Sequence, residues 1–275
     1  MRQVLYDNET RRFEDRTGVE VETKPTLGAV IPDYMEKYVK VHNRDWKRKQ
    51  ALLAKFTTLH DKQIDHIKRA DVVRACDLIR KSAPTSANRA LAHLKHLMGW
   101  CVERGMIAVN PIAGMKPPSK EKSRERVLTD DELGALWAAC DAEGYPFGDC
   151  MKLLILSGQR RAEVAEMRWS EIDLEKRLWT LPSTRAKNGR QHTVPITDAM
   201  LDVLRRVPKF IGSDFVFTTK GTTPISGFGR LKKRLDKSLP KDSETWTPHD
   251  LRRTMSTNMA QLGVPQPVTE ALLNH

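Results

Sequence analysis

Three short strings in the C-terminal half of the chain carry residue types suited to handling a phosphate. In Ser157-Gly158-Gln159-Arg160-Arg161-Ala162-Glu163, Gly158 permits a sharp turn that presents Arg160 at the mouth of the following helix. A guanidinium there suits a phosphate, because its planar fork bonds two oxygens at once and stays charged at working pH. Glu163, one turn on, is spaced to hold that fork in place. In His249-Asp250-Leu251-Arg252-Arg253-Thr254, Pro248 opens a helix, so His249 and Arg252 share one face. An imidazole there can transfer a proton near neutral pH, and Arg252 adds a second clamp on a developing phosphorane charge. Lys187, in Arg185-Ala186-Lys187-Asn188-Gly189-Arg190, rides a hairpin where an ammonium could protonate an alkoxide leaving group. Each string alone also has an ordinary reading: a helix-start ion pair, a chance neighbour on a helix, a solvated loop lysine.

These strings need elements to position them. Met151 to Ser157 reads as an apolar helix ending at Gly158, Arg161 to Trp169 starts another, and Leu251 to Leu262 ends at Gly263. Leu178–Leu181 and Thr193–Ile196 read as short strands, with Asn188-Gly189 as the tight turn of a hairpin. Asp198–Val207 and Phe228–Leu239 look helical, and Thr129 with Glu132 forms a capping box that opens this half of the chain. The preceding half reads as four helices: Ile31–Lys40 with Pro32 in its first turn, Asp45–Lys55, one capped by Asp71 and running to Lys81, and Thr85 to about Glu103. Asn88, Arg89, His93, Lys95 and His96 form the polar face of the last. The expected fold class is mainly α with a small antiparallel β-sheet.

Charge divides the same way. Of 275 residues, Lys and Arg total 47 and Asp and Glu 35, giving a net charge of +12. Residues 31–120 hold 18 basic against 8 acidic side chains, whereas 121–275 hold 24 against 21. Such a block is the footprint of a polyanion, since each neutralised phosphate releases counterions. Lys47, Arg48, Lys49, Asn88, Arg89 and Lys95 are its candidate nucleic-acid-facing residues, Asn88 and Arg89 the ones placed to read bases. Asn110-Pro111 ends the bundle, and Met115–Arg126 reads as an extended linker. No run reaches the roughly 18 apolar residues of a membrane span, and Met1–Thr10 lacks a signal-peptide core. The four cysteines form no C-x-x-C pair, and His93 and His96 have no neighbouring third ligand, so neither a zinc site nor a disulfide framework is expected. The expected compartment is reducing, hence cytoplasmic.

In order and context these strings resemble the tyrosine recombinase (phage integrase) family. The likeness runs from about Thr26 to His275. It rests on S-G-Q-R-R-A-E, the hairpin lysine before N-G, H-D-L-R-R-T and the closing Leu272-Leu273-Asn274-His275. The W-S-E-I-D-L stretch at 169–174 and the V-P-I strand are similar to those of prophage and genomic-island integrases. The resemblance implies a helical core-binding domain plus an α+β catalytic domain, and a site-specific strand-exchange enzyme that works without metal or other cofactor. In the family a tyrosine attacks the scissile phosphate, leaving a 3′-phosphotyrosyl link and a free 5′-hydroxyl. Carried over by position, Arg160 and Arg252 clamp the non-bridging oxygens and Lys187 acts as general acid. His249 assists proton transfer, and His275 hydrogen-bonds the phosphate. The implied partners are duplex DNA at attachment sites, further copies of the chain (a tetramer on DNA), and accessory bending or directionality factors.

One departure stands out. The family nucleophile follows the histidine matching His275 by roughly nine residues, and the only tyrosines are Tyr6, Tyr34, Tyr38 and Tyr145, none in that context. The expectation is a fragment that binds DNA without cutting it. Its expected parts are residues 1–25 as a leader or remnant of an arm-binding domain, 26–114 as the core-binding domain, 115–127 as linker and 128–275 as an incomplete catalytic domain. The rival readings are a non-catalytic DNA-binding relative and a type IB topoisomerase, the latter disfavoured by the small helical bundle.

Overall fold

The computed structural model describes residues 5–7, 12–14, 20–43, 45–121 and 123–274. The chain divides into two compact units, Met1–Ser123 and Arg124–His275.

Unit one begins with a three-stranded antiparallel meander, β1 (Leu5–Asp7), β2 (Arg12–Glu14) and β3 (Glu20–Glu22), with Tyr6 opposite Phe13 and Phe13 opposite Val21. Of the leader expected at 1–25, the rest of the first 19 residues lies outside the described set. Thr26 then caps α1 (Leu27–Tyr34), its hydroxyl accepting the Ala29 N–H at 3.3 Å. Because the helix opens at Leu27, Pro32 sits in its interior and not in its first turn, and the path widens into a π turn over Met35–Val39 before α2 (Lys40–His42). Then come α3 (Trp46–Leu53), α4 (Arg69–Ser82) and α5 (Pro84–Glu103). Helix α4 starts two residues before Asp71, whose carboxylate reaches back to the Lys68 N–H at 2.9 Å as a cap from inside the first turn. Leu27, Val30, Leu53, Phe56, Val72, Leu94, Leu97 and Met98 meet in the core.

The described residues of the segment expected to run as an extended linker form neither helix nor strand, and several of them are hydrogen-bonded within their own unit. Within unit one, Asn88 Nδ2 donates to Ser119 O and to Glu121 Oε1, both at 2.8 Å, and Ser119 N–H donates to Asn88 Oδ1 at 3.0 Å. Within unit two, Arg124 Nη2 donates to Thr245 O at 2.7 Å, and Arg126 pairs with Glu132.

Unit two is built on α6 (Asp130–Glu143), α7 (Phe147–Ser157) and α8 (Arg161–Ala165), followed by a sheet of β4 (Ile172–Asp173), β5 (Leu178–Leu181) and β6 (His192–Pro195). Four helices complete it: α9 (Asp198–Arg206), α10 (Phe228–Leu235), α11 (Pro248–Gln261) and α12 (Gln266–Leu273). The Thr129–Glu132 capping box forms as the spacing predicts, with Thr129 N–H donating to Glu132 Oε2 at 2.9 Å and Glu132 N–H to Thr129 Oγ1 at 3.2 Å. The sheet is antiparallel in the order β4-β5-β6, and Trp179, opposite Val194, is buried in the same core as Leu153, Phe217 and Trp246. Helices α6 and α7 cross so closely at Gly148 that a Cβ there would lie 1.9 Å from the Cys140 carbonyl oxygen. All four cysteines are free and buried, and burial raises the Cys76 and Cys101 thiols to about 11 and Cys140 to about 12. Among the described residues no helix is long and apolar enough to cross a membrane.

Candidate active site

Helix α7 ends at Gly158, whose φ of +62° turns the chain back. Its backbone lies against α11 and α12: a Cβ at Gly158 would sit 2.3 Å from Met255 Sδ and 2.9 Å from Leu273 Cδ2. The turn delivers Arg160 to the start of α8. There Glu163, buried at 3% exposure, accepts the Arg160 N–H at 3.2 Å and the Arg160 guanidinium at 3.1 Å. Arg252 reaches the same place from α11. It is 4% exposed and donates through Nη1 to Gly158 O at 3.1 Å and through Nη2 to Leu273 O. Arg160 Nη2 donates to Asn274 O at 3.1 Å.

The electrostatics define what this pocket wants. Two guanidinium groups face one buried carboxylate, and the balance is met by the carbonyl ends of α7 and α12. Burial first, and Arg160 second, pulls Arg252 down to about 10, while Glu163 opposes the shift. That value still leaves Arg252 charged at neutral pH. A cationic pair with spare N–H donors is suited to an anion offering several oxygens.

Lys187 is exposed in the connection between β5 and β6. That connection spans ten residues, not the tight two-residue turn expected at Asn188-Gly189. Long-range bonds open it. Arg185 is drawn down to Glu171 (Nε to Oε1, 2.7 Å; Nη2 to Oε2, 2.9 Å) and to the Glu163 carbonyl (3.1 Å), and Asn188 Nδ2 donates to Asn274 Oδ1 at 2.5 Å. His249, at the start of α11, is held below its ordinary pKa by partial burial first, then by Arg253 and Arg252, with Lys187 also contributing and Asp250 opposing. Lys187 and His249 therefore lie within electrostatic reach of each other. His275 lies outside the described residues. Tyr145, the one tyrosine of unit two, donates its hydroxyl to Thr218 O at 2.8 Å and stacks on Phe210, a packing role.

Two residues that the spacing did not single out join the clamp: Gln159 and His192, which both donate to Leu272 O, at 2.8 and 3.0 Å. Gln159 stands beside Arg160 in the motif. His192 had no such signal, because its partner is 80 residues away.

In unit one, Lys47 and Arg48 are exposed on α3, Lys47 with its ammonium 5.5 Å from the Trp46 ring. Lys49 is tied to Asn43, Lys95 Nζ donates to Met115 O at 3.1 Å, and Arg89 pairs with Glu121 at 2.8 Å. Asn88 is the correction. It is 8% exposed, and its amide serves the backbone and carboxylate of 119–121, so it is not an exposed reader of bases. Burial lowers the His93 pKa, and Lys49, His96, Arg48 and Arg89 lower it further, which marks a cationic patch shared by α3 and α5.

A sequence profile described as the Phage integrase family matches residues 126–275. The prophage integrase IntA of Escherichia coli strain K12 is 25% identical over 239 residues, covering 80% of this chain and 54% of that protein. This chain thus spans about half the length of that relative. A tyrosine recombinase of Thermosipho africanus is 26% identical over 263 residues, covering 90% of this chain and 87% of the relative. Among solved structures, a lambda integrase tetramer bound to a Holliday junction superposes with a TM-score of 0.75 at 18% identity, covering 99% of this chain and 95% of that one. At that identity the structural likeness speaks for the fold.

Proposed function

The chain belongs to the Phage integrase family, and on that premise we propose that it supplies the DNA-binding and phosphate-clamping residues of a site-specific DNA recombinase that integrates or excises a mobile element. The observation that carries this reading is the pairing of Arg160 and Arg252, brought from two helices onto one spot with Glu163 behind them. A metal-free phosphoryl transfer needs that charge to stabilise the phosphorane.

In this mechanism a tyrosine oxygen bonds to the scissile phosphorus while the bond to the 5′ oxygen breaks. Arg160 and Arg252 hold the non-bridging oxygens, His249 assists removal of the tyrosine proton, Lys187 gives its proton to the departing 5′ oxygen, and His275 hydrogen-bonds the phosphate. The products are a 3′-phosphotyrosyl link and a 5′-hydroxyl, and the reverse attack rejoins the strand. Tyr145 is occupied by packing, so the nucleophilic hydroxyl is not among the groups assigned here. Residues 26–114 act as the core-binding domain, with Lys47, Arg48 and Arg89 on the DNA-facing side, and 128–275 as the catalytic domain. The partners under this reading are duplex attachment sites and further copies of the chain, four on two duplexes, in a bacterial or phage-infected cytoplasm.

The test is covalent capture. Arg160→Ala and Arg252→Ala, each in a recombinase carrying these residues together with the nucleophilic tyrosine, are expected to cut adduct formation on a nicked duplex by roughly 10²–10³-fold or more, with duplex binding largely retained. Robust adduct formation by either variant overturns the clamp assignment. Absence of duplex binding by the unmutated chain overturns the DNA reading.

A further inference from the structure

The last carbonyls of any helix lack partners within it, and a helix of eight residues is too short to hold itself together in water. Helix α12 has both problems, and the structure answers them with side chains from elsewhere in unit two. Leu272 O accepts from Gln159 Nε2 at 2.8 Å and from His192 Nε2 at 3.0 Å, Leu273 O accepts from Arg252, and Asn274 O accepts from Arg160 at 3.1 Å. Three consecutive carbonyls are thus taken up at one place, two of them by the clamp arginines themselves.

We propose that His192 is a positioning residue of the clamp: with Gln159 it grips the Leu272 carbonyl and so docks the end of α12, with the Leu273 and Asn274 carbonyls, onto Arg252 and Arg160. The chemistry of the partners settles the protons. A carbonyl only accepts, so His192 carries its hydrogen on Nε2. Gln159 turns Nε2 towards two carbonyls, Leu272 O and Ser157 O, the latter at 3.2 Å, which sets the sense of its amide. Both side chains are buried, at 9% and 2% exposure, so both bonds are shielded from competing water. With its two lone pairs filled, Leu272 O is held from both sides, by the turn after α7 and by the first residue of β6. Arg252 and Arg160 then meet the following two carbonyls in a set orientation before any phosphate arrives. The significance for strand cutting rests on the clamp assignment above; the tether itself does not.

Hydrogen–deuterium exchange on the folded chain reads the tether directly. His192→Phe keeps a ring and removes the donor, Gln159→Met keeps the length and removes the other donor, and His192→Gln places an amide N–H₂ where Nε2 stood. The first two are expected to speed exchange across residues 269–274 by roughly fivefold to tenfold, the effect of one lost hydrogen bond. His192→Gln is expected to stay within about twofold of the parent, and β5 and β6 to exchange as before in all three. In a recombinase with its tyrosine, His192→Phe is expected to slow adduct formation at unchanged duplex affinity, and His192→Gln to restore the rate. Unchanged exchange at 269–274 in both His192→Phe and Gln159→Met overturns the proposal. So does equal acceleration in His192→Phe and His192→Gln, which would make the ring a filler and not a donor, and so does a normal adduct rate in a variant whose α12 has loosened. Should His192→Phe fail to fold, Gln159→Met carries the same decision from the other side of the carbonyl. A parent chain that binds no DNA would sink the recombinase reading and leave the exchange result standing.

Discussion

A guanidinium as deep as that of Arg252 has to have its charge answered on the spot, and here the answer comes from Glu163 and from backbone oxygens. Three imidazoles are treated in the opposite way. His93, His192 and His249 are all held below their ordinary pKa by burial first; neighbouring cations come next at His93 and His249, whereas at His192 the Leu272 carbonyl and Glu163 oppose the shift. In each case the folded value lies below the unfolded one, so between the two the unfolded chain binds more protons. The stability these neutral rings contribute is complete above about pH 6.5 and is lost as pH falls from there towards the folded values. Asp71 and Glu132, held near 2 by Lys62 and Arg126 respectively, keep their contribution across that window. Urea unfolding is therefore expected to show a midpoint that drops between pH 7.5 and 5.5, with a smaller drop after all three histidines are changed to Gln; equal drops would reject the assignment. At this scale the sequence made Arg160, Glu163 and Arg252 visible, because a guanidinium at a glycine turn and a His–Arg pair on one helix face are local patterns. Gln159 and His192 stayed hidden in their roles, since each is defined by a carbonyl far away in the chain. Asn88 misled for the same reason: a polar residue on a basic helix reads as exposed until the strand of backbone it serves is in place.

Elements are set by closeness as much as by propensity. Gly158 and Gly263 both have positive φ, +62° and +76°, but only Gly158 faces other atoms where a side chain would go. Gly263→Ala is expected to cost about 1 kcal/mol from backbone strain alone. Gly158→Ala is expected to cost about 2–4 kcal/mol, because Met255 and Leu273 must also give way. Denaturant melts of the two variants check the difference, and equal losses would mean that α7, α11 and α12 are not pressed together at that turn. The ends of α7 and α11 at Gly158 and Gly263 were legible, as was the Thr129–Glu132 capping box, because caps are written within four residues; the start of α7 at Phe147 and the whole of α12 were not. The π turn after α1 and the long β5–β6 connection were not. In the latter, an N-G pair that would close a hairpin by itself yields to Arg185, whose bonds to Glu171 and Glu163 hold the loop open.

Across the whole molecule, the charge asymmetry read from composition lands on one compact unit, where Arg48, Lys49 and Arg89 crowd His93. Binding to a duplex is expected to weaken steeply with salt, and Lys47→Ala with Arg48→Ala together to flatten the plot of log affinity against log salt by about 2, roughly one per cation removed. A flat response in the parent chain would reject α3 as a DNA-facing element. A different property comes from the cysteines. With every native thiol buried and Cys76, Cys101 and Cys140 held well above the pH of ordinary alkylation chemistry, maleimides and disulfide reagents find no thiolate in the folded protein. A cysteine introduced on the surface of either unit would then be the sole reactive one, so a dye or spin label can be placed on each without first removing the native four.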